Sequence, residues 1–350
     1  MKKLLLVGIN SVHTYNYIEL INGYFDEILL ITDSINPSYK GRAHVYDFSV
    51  KNSIVIFRSF SEIKKLVKEF LPSVMHIHQA NTAAWCMLTA LRQLKIPSIV
   101  TAWGSDILVN PQKGFFYRKM VSQILSRSDY FTADASFLAE KMKELSKKNI
   151  EVEVINFGID PICNNLSELN NLLPQKENII YSNRLHKKLY RIDKIILAFA
   201  FFIRSNPQQW QLVIAATGEE TPNLMHVVTT LGITQNVTLT GWVNRDQNYD
   251  WYRKAKIFVS YPESDATSVS LLEAMSAGCI PVLSDLPANR EWISKAHNGV
   301  ITPQLCSTDF ENAVELCSTN AAANNLDLVL QKASKANSRR LFLELYNRAS

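Results

Sequence analysis

The chain has 350 residues, of which 47% are hydrophobic and 20% charged, and this balance and length predict a globular protein of two domains. No apolar run reaches the roughly 18 residues of a membrane-spanning helix. The five cysteines form no CxxC pair, so they indicate neither a disulfide framework nor a zinc site, and a reducing cytoplasm is the expected location. The net charge of +5 is unevenly distributed. Residues 1–150 hold 19 Lys and Arg against 12 Asp and Glu, whereas residues 151–350 hold 18 against 20. The excess of positive charge in the first half makes an anionic partner, phospholipid or nucleic acid, a candidate there.

Short apolar strands alternate with helical periodicity, which predicts parallel sheets covered by helices. In the first half we predict strands at 4–9, 27–32, 74–78, 97–102 and 130–133, and helices at 61–71, 85–94 and 136–148. A second series holds the strands NIIYS, WQLVIAA, NVTLTG, IFVSY and IPVLS, with helices around 193–204, 221–231 and 268–277. The predicted class is α/β, with two Rossmann-like doubly wound domains at 1–160 and 161–335 and a C-terminal helix at 336–350 that can pack back on the first domain.

Polar residues follow two strands of the first half, where doubly wound folds bind ligands. Gly8 ends the first strand, at a place suited to close backbone approach, and Asn10, Ser11 and His13 follow it. His76 and His78 end the third predicted strand, and we interpret them as pointing in opposite directions, so that only one of them faces a ligand.

Two acids, Asp265 and Glu273, stand eight positions apart around the start of a predicted helix. Thr267 or Ser268 can cap this helix, and the amides of Thr267, Ser268 and Val269 then form an anion site between the acids. This arrangement suits a sugar nucleotide, with the diphosphate on the amides and the acceptor-only carboxylates on sugar and ribose hydroxyls. The alternative is a loop acid and a helix-surface acid without a ligand.

The segment SDATSVSLLEAMSAGCIPVLSDLPANREWI resembles the donor-site signature of the family-4 retaining glycosyltransferases. The segments WGSDI, NFGID, SNRLHKK, ATGEE, VTLTGWV and NREWI resemble further landmarks of that family, in the right order and over nearly the whole chain. The resemblance implies a GT-B fold of two facing Rossmann-like domains with a cleft between them. We assign Glu273 to the ribose and Asp265, where the family more often has Glu, to the transferred sugar.

A leaving nucleoside diphosphate needs positive charge, and the chain has no Asp-x-Asp pair to hold a metal. Arg184, Lys187 and Lys188 follow the strand NIIYS and resemble the family's diphosphate contacts; we select Arg184 and Lys188, although a solvated basic turn is the alternative. We therefore expect neither metal nor cofactor.

The remaining donor candidates are glycines and the residues beside them. Gly218 lies in ATGEE, and Gly241, Trp242 and Val243 lie where the nucleotide base rests in the family, although Trp242 can equally belong to the core.

On the acceptor side the resemblance implicates Asn10, Ser11 and His13, and we add His78 and Trp103. Many relatives carry His at the position of Trp103. Asp106 can bind an acceptor hydroxyl and take its proton, or it can cap the following helix.

The stretch NPQKGFFYRKMVSQILSRS places Phe115, Phe116, Tyr117 and Met120 among basic residues. It can rest on anionic lipid at the cytoplasmic face of the inner membrane, or it can be an ordinary packed helix with charged outer positions.

Together these features predict a metal-independent retaining glycosyltransferase that moves a sugar, favoured as UDP-linked, to a saccharide or lipid-linked saccharide in O-antigen or capsule assembly. The alternatives are a GT-B UDP-sugar epimerase and a non-catalytic nucleotide-sugar-binding partner of another transferase. Nucleic-acid binding is disfavoured, because the basic residues form no aromatic-interleaved binding motif.

Overall fold

The computed structural model describes residues 1–48, 53–206, 208–294 and 297–349. The chain divides into two compact units, and we call Met1–Phe157 with the C-terminal stretch from Ser338 unit 1, and Gly158–Asn337 unit 2. Within the described ranges, none of the helices combines the length and the apolar character that crossing a membrane requires.

Unit 1 is built on a parallel sheet that has seven strands among the described residues. The strands are β1 (Lys3–Val7), β2 (Glu27–Thr32), β3 (Arg42–Val45), β4 (Val74–His78), β5 (Ser98–Thr101), β6 (Tyr130–Ala133) and β7 (Glu153–Val154). The helices between them are α1 (Val12–Leu20), α2 (Ser53–Phe70), α3 (Thr82–Ala90), α4 (Ser105–Leu108), α5 (Phe115–Arg127) and α6 (Ser136–Leu145). The order β3-β2-β1-β4-β5-β6-β7 reverses between β1 and β4, which is the switch point where doubly wound sheets bind ligands.

Unit 2 repeats this plan with six described strands, all parallel. They are β8 (Glu177–Ser182), β9 (Gln211–Ala215), β10 (Val237–Gly241), β11 (Ala255–Ser260), β12 (Ile280–Ser284) and β13 (Val300–Thr302). The helices are α7 (Leu166–Leu172), α8 (Ile192–Ser205), α9 (Thr221–Thr230), α10 (Arg245–Lys254), α11 (Val269–Ser276), α12 (Pro287–Arg290), α13 (Ser307–Leu316) and α14 (Ala321–Ala333). The order β10-β9-β8-β11-β12-β13 places the switch point between β8 and β11.

The last helix, α15 (Lys335–Ala349), packs on unit 1. Phe342, Leu345 and Tyr346 are fully buried in the same cluster as the β1 residues. The Tyr346 hydroxyl lies 2.8 Å from that of Tyr17 on α1, and the two are joined to the β4 ring of His76. A buried polar network therefore fixes α15 to the core of this unit.

The predicted α/β class with two doubly wound sheets is confirmed. The predicted strands 27–32, 74–78 and 130–133 coincide with β2, β4 and β6. Strands β3 and β7 were not predicted, because each is short and lies half-exposed at a sheet edge, without an apolar run.

Candidate functional site

The predicted donor-binding residues of unit 2 lie at or beyond the carboxyl ends of four strands that are neighbours in the sheet, β10, β9, β8 and β11. Arg184 and Lys188 follow β8, Gly218 follows β9, Gly241, Trp242 and Val243 close β10, and Asp265, Thr267, Ser268, Val269 and Glu273 follow β11. Because these strands are adjacent and parallel, their loops meet at one edge of the sheet, at the switch point.

Arg184 joins three parts of this edge. Its Nη2 lies 2.6 Å from Asp265 Oδ2, and its Nη1 donates to Ser268 Oγ at 2.5 Å. The guanidinium also lies over the ring of Tyr190, 4.5 Å from the ring centre. The side chains of Arg184 and Asp265 are 11% and 25% exposed, so this is a largely desolvated ion pair with one open side. Burial raises the pKa of Asp265, and the neighbouring Arg184 partly offsets this rise.

Helix α11 begins directly beside this ion pair. Ser268 occupies its N-cap position, as the sequence allowed, but the hydroxyl makes no hydrogen bond to the first-turn amides and bonds to Arg184 instead. Thr267 accepts a long hydrogen bond from Trp292 Nε1 at 3.4 Å, and Val269 is 43% exposed. A helix start without a side-chain cap, next to a guanidinium, is suited to an anion.

Glu273 lies further along α11, and its carboxylate is loosely held. It accepts hydrogen bonds from Tyr249 Oη at 3.4 Å and from Asn248 Nδ2 at 3.5 Å, both at the long end of the range. Burial raises the pKa of Glu273 to about 7, against hydrogen bonding from Tyr252 and the charge of Arg245, which lower it. A half-buried carboxylate with two such long hydrogen bonds can accept stronger ones from ligand hydroxyls.

The residues around Glu273 come from α10, which the sequence analysis did not predict. Asn183 donates to Asn248 Oδ1 at 3.0 Å and to Tyr252 Oη at 2.9 Å, which connects the end of β8 to α10. The helix was overlooked because its sequence RDQNYDWYRK is mostly polar. The signal that could have found it is the capping box of Asn244 and Gln247 at its start.

A second ion-pair cluster braces α10. Arg245 lies 2.6 Å from Asp160 Oδ2 and donates to Tyr249 Oη at 3.0 Å. Lys335 lies 2.7 Å from the same Asp160 oxygen. Asp160 thereby fixes the tyrosine that contacts Glu273, although the sequence singled it out only as part of NFGID.

Gly218 is required by close packing of two backbones. A Cβ atom at this position would lie 2.4 Å from the carbonyl oxygen of His186, so no other residue fits without moving the loop after β8. Ala216, just before it, has a positive φ of 73°, a strained conformation for a residue with a Cβ. The loops after β8 and β9 are therefore locked together.

At the end of β10, Gly241 has a positive φ of 73° and its carbonyl accepts from the Ala216 amide at 2.8 Å. Trp242 is 72% exposed, which excludes the alternative that it belongs to the core, whereas Val243 packs partly buried against the core. An indole exposed this far is available to a planar ligand.

The two lysines of the predicted diphosphate site are exposed and line one cavity of about 340 Å³. Within the described part of the chain Lys188 forms no ion pair. Arg191, in the same lining, is already occupied, because it donates at 2.9 Å to the carbonyls of Tyr261 and Pro262 and so holds the start of the loop that carries Asp265.

In unit 1 the structure brings together three of the predicted acceptor residues. The rings of His13 and His78 lie 5.5 and 5.4 Å from that of Trp103. His78 is 1% exposed, neither of its ring nitrogens has a hydrogen-bond partner, and burial lowers its pKa to about 3, so the ring is neutral. Gly8 lies beside it, since a Cβ there would be 3.7 Å from His78 Cβ and 3.1 Å from Thr14 Oγ1.

The interpretation that His76 and His78 point in opposite directions is wrong. Their ring centres are 5.0 Å apart, because residues two apart on a strand share a face. His76 is nonetheless occupied: its Nδ1 lies 2.6 Å from Tyr346 Oη and its Nε2 2.6 Å from Thr101 Oγ1. His78 is thus the unpartnered member of the pair.

The other unit 1 candidates are held by neighbours of their own. The backbone amide of Asn10 donates to Asp33 and its side chain donates to Ser34, and Ser11 caps α1. Asp106 is 1% exposed, and its two carboxylate oxygens accept from the amides of Trp103 at 3.0 Å and Ala80 at 2.7 Å. Asp106 therefore ties the segments that follow β4 and β5 together. It lies inside α4 and caps neither that helix, whose N-cap is Gly104, nor α5, whose N-cap is Gly114.

The described residues contain no group of three or more His, Cys, Asp or Glu side chains that could hold a metal ion.

Two doubly wound α/β units with polar residues at both switch points define a two-domain α/β protein with a candidate ligand site in each unit. A family model described as "Glycosyl transferases group 1" matches residues 165–335, and one described as "Glycosyl transferase 4-like" matches residues 2–135. The chain belongs to the family-4 glycosyltransferases.

Two curated relatives are similar over part of their length. An alpha-monoglucosyldiacylglycerol synthase of Streptococcus pneumoniae is 24% identical over 68% of this chain and 57% of its own. A GDP-mannose:cellobiosyl-diphosphopolyprenol alpha-mannosyltransferase of Xanthomonas oryzae is 30% identical over 27% of this chain and 25% of its own. The matches thus span between a quarter and little more than half of these relatives.

Solved structures share the fold over the whole chain. Anabaena Alr3699/HepE in complex with UDP has a TM-score of 0.80 at 15% identity, covering 99% of this chain and 100% of that one. The lipopolysaccharide outer core galactosyltransferase WaaB has a TM-score of 0.74 at 12% identity, covering 99% and 100%. The predicted GT-B fold is confirmed.

Proposed function

We propose that this chain transfers a sugar, with retention of its anomeric configuration, from a UDP-linked donor to a saccharide or lipid-linked saccharide. The observation that carries the proposal is the joining of Arg184, Asp265 and Ser268 at the uncapped start of α11, with Glu273 on the same helix. Similar folds were solved with UDP and with UDP-glucose, which supports this choice of donor.

In this proposal the diphosphate lies on the first-turn amides of α11 and on Arg184, with Lys188 on its open side. Glu273 accepts the ribose hydroxyls, Asp265 accepts hydroxyls of the transferred sugar, and Trp242 faces the base. Positive groups that are already fixed in place stabilise the negative charge that grows on the leaving diphosphate. We propose that they do so without a metal or cofactor.

For the chemical step, we propose that the bond from the anomeric carbon to the diphosphate oxygen breaks first. The acceptor oxygen then bonds to the same face of that carbon, and its proton passes to the oxygen of the departing diphosphate. Asp106 accepts two backbone hydrogen bonds and the pKa of His78 is about 3, so neither is suited to act as the base at neutral pH. The names of both curated relatives specify α products, which supports retention from an α-linked donor.

On the acceptor side, the neutral His78, with two unpartnered ring nitrogens, is the group best suited to bond a sugar hydroxyl, and Trp103 and His13 provide a ring surface for a sugar. The names of the curated relatives give a glycolipid and a polyprenol-linked product, which supports a lipid-linked acceptor. We propose O-antigen or capsule assembly, in the cytoplasm and at its face of the inner membrane, as the setting.

A screen of nucleotide sugars tests this proposal. One UDP-sugar should raise the unfolding temperature more than its GDP counterpart, since a ligand that binds only the folded state stabilises it. The bound sugar is then incubated with saccharide acceptors, and NMR of the product should show the anomeric configuration of the donor. An inverted product would contradict the mechanism. Conversion of the donor without an acceptor would identify an epimerase, and binding without turnover would identify a non-catalytic partner.

Membrane contact is proposed for the start of α5. Phe115 and Phe116 are 78% and 87% exposed, and the exposed Lys113, Arg118 and Lys119 flank them in the sequence. We expect the protein to co-sediment with phosphatidylglycerol vesicles more than with phosphatidylcholine vesicles, and F115S/F116S to lose roughly tenfold in partitioning. F201S, which alters a Phe of unit 2 that is 53% exposed, is the control and should bind as wild type does. Equal binding of all three proteins would contradict the proposed surface.

A further inference from the structure

A cavity of about 530 Å³ lies at the other end of the unit 1 sheet from His78. Met75, Ser98 and Tyr130, at the amino ends of β4, β5 and β6, line it. Met75 and His78 are three residues apart on β4, so roughly 10 Å of strand separates this cavity from the proposed acceptor site. It therefore has no part in the function proposed above.

Positive side chains from two segments converge on this cavity. Arg92 and Lys95 follow α3, and Arg127 is the last residue of α5. None of the three forms an ion pair with another described residue; Arg127 donates to the Thr89 hydroxyl at 3.3 Å. Three positive side chains without an ion-pair partner among the described residues leave a positive potential over the opening.

Asp129, the one acid among the described lining residues, offsets only part of this positive charge. Asp129 Oδ2 accepts hydrogen bonds from the amide and the hydroxyl of Ser98, both at 2.8 Å. Helix α3, which forms one wall, carries no charged residue. The lining thus holds three formal positive charges against one negative charge that is already bonded.

We propose that this cavity binds a phosphate-bearing anion. Two guanidinium groups and an ammonium are the groups that proteins use for phosphate, because the planar guanidinium donates two parallel hydrogen bonds to its oxygens. The volume lies within the range of small-molecule sites, and Leu88 and Leu91 in the lining give an apolar wall for the organic part of the ligand. A soluble phosphate ester and a phospholipid headgroup share this chemistry.

The test titrates the full chain with inorganic pyrophosphate by calorimetry, in the presence of saturating UDP so that the proposed donor site is filled. The wild type should bind one pyrophosphate, and R92Q/R127Q should bind it roughly tenfold or more weakly. K141Q/K143Q removes the same charge from α6 of the same unit, where both lysines pair with exposed glutamates, and should bind as the wild type does. Circular dichroism confirms that each variant is folded.

A second arm uses vesicles of phosphatidylglycerol. If R92Q/R127Q loses only vesicle binding, the ligand is a lipid headgroup. If it loses only pyrophosphate binding, the ligand is a soluble phosphate. Either loss supports the site. No loss in either arm, or the same loss in K141Q/K143Q, overturns it. The pyrophosphate titration is repeated in R184Q without UDP, so that this result does not depend on the proposed function. If the proposed donor site in unit 2 is wrong or impaired, pyrophosphate should still bind in unit 1.

Discussion

E273Q is expected to lower kcat/KM for the UDP-sugar by two to three orders of magnitude while leaving the fold intact. Hydrogen bonds to a charged acceptor contribute about 1.5–3 kcal/mol each, and the carboxylate is proposed to accept two from the ribose. The amide keeps the size of the side chain but loses the charge and one acceptor. The measurement is initial-rate kinetics together with the donor dissociation constant.

The matched control for this substitution is E144Q on α6, where the carboxylate pairs with Lys141 at the surface. It should have wild-type kinetics, because an exposed pair of this kind contributes little. Transfer by E273Q at the wild-type rate would contradict the assignment of Glu273 to the donor site.

The same residue gives the protein a pH dependence of definite sign. Burial raises the pKa of Glu273 from 4.5 to about 7, so between these values the folded chain holds a proton that the unfolded chain has released. Stability from this group is therefore present at low pH and lost as the pH rises towards 7. E273Q should melt above the wild type at pH 8 and close to it at pH 4.5, and a lower melting temperature at pH 8 would contradict the assigned burial effect.

Donor binding should show the opposite trend. The ionised carboxylate is the better acceptor, so the affinity of the wild type for the UDP-sugar should rise as the pH increases through about 7. The E273Q variant should lose this dependence. A ligand that requires ionised Glu273 thus binds best at the pH values at which this group no longer stabilises the free protein. Such a conflict between stability and binding is typical of functional sites.

The sequence predicted the elements whose apolar pattern is strong. Buried strands such as β1 and β2 have continuous apolar runs, and the carboxyl-end rule then located the donor candidates without coordinates. The half-exposed β3 and the polar α10 carry no such pattern, so the contacts of Glu273 with Asn248 and Tyr249 could not be predicted.

The sequence also did not reveal which polar side chains already have hydrogen-bond partners. His78 ends β4 and Asp106 follows β5, and both looked equally suited to a ligand. The carboxylate of Asp106 accepts from two backbone amides, whereas the ring of His78 has no hydrogen-bond partner. Which polar group is already satisfied depends on backbone atoms far away in the sequence, such as the amide of Ala80 for Asp106. Spacing along the chain does not contain that information.

R184Q should lower the rate of transfer by two to three orders of magnitude, on the scale of removing one group that stabilises developing negative charge. The effect has two parts, since the variant loses a positive group and also leaves Asp265 without its partner 2.6 Å away. The unpaired carboxylate would then repel the diphosphate. R184K keeps the charge, but its single ammonium cannot contact Asp265 and Ser268 as the two terminal nitrogens of the guanidinium do, so its rate of transfer should be intermediate.

The double variant R184Q/D265N separates the two parts. Removing both charges leaves no unpaired carboxylate, so the melting temperature should return towards that of the wild type, while transfer stays at least as slow as in R184Q because Asp265 is also proposed to bind the sugar. R253Q, which breaks an exposed pair with Asp250 on α10, is the control and should change neither quantity. Recovery of transfer in the double variant would mean that the unpaired carboxylate of Asp265 caused the whole loss in R184Q, and that the diphosphate is neutralised by other groups.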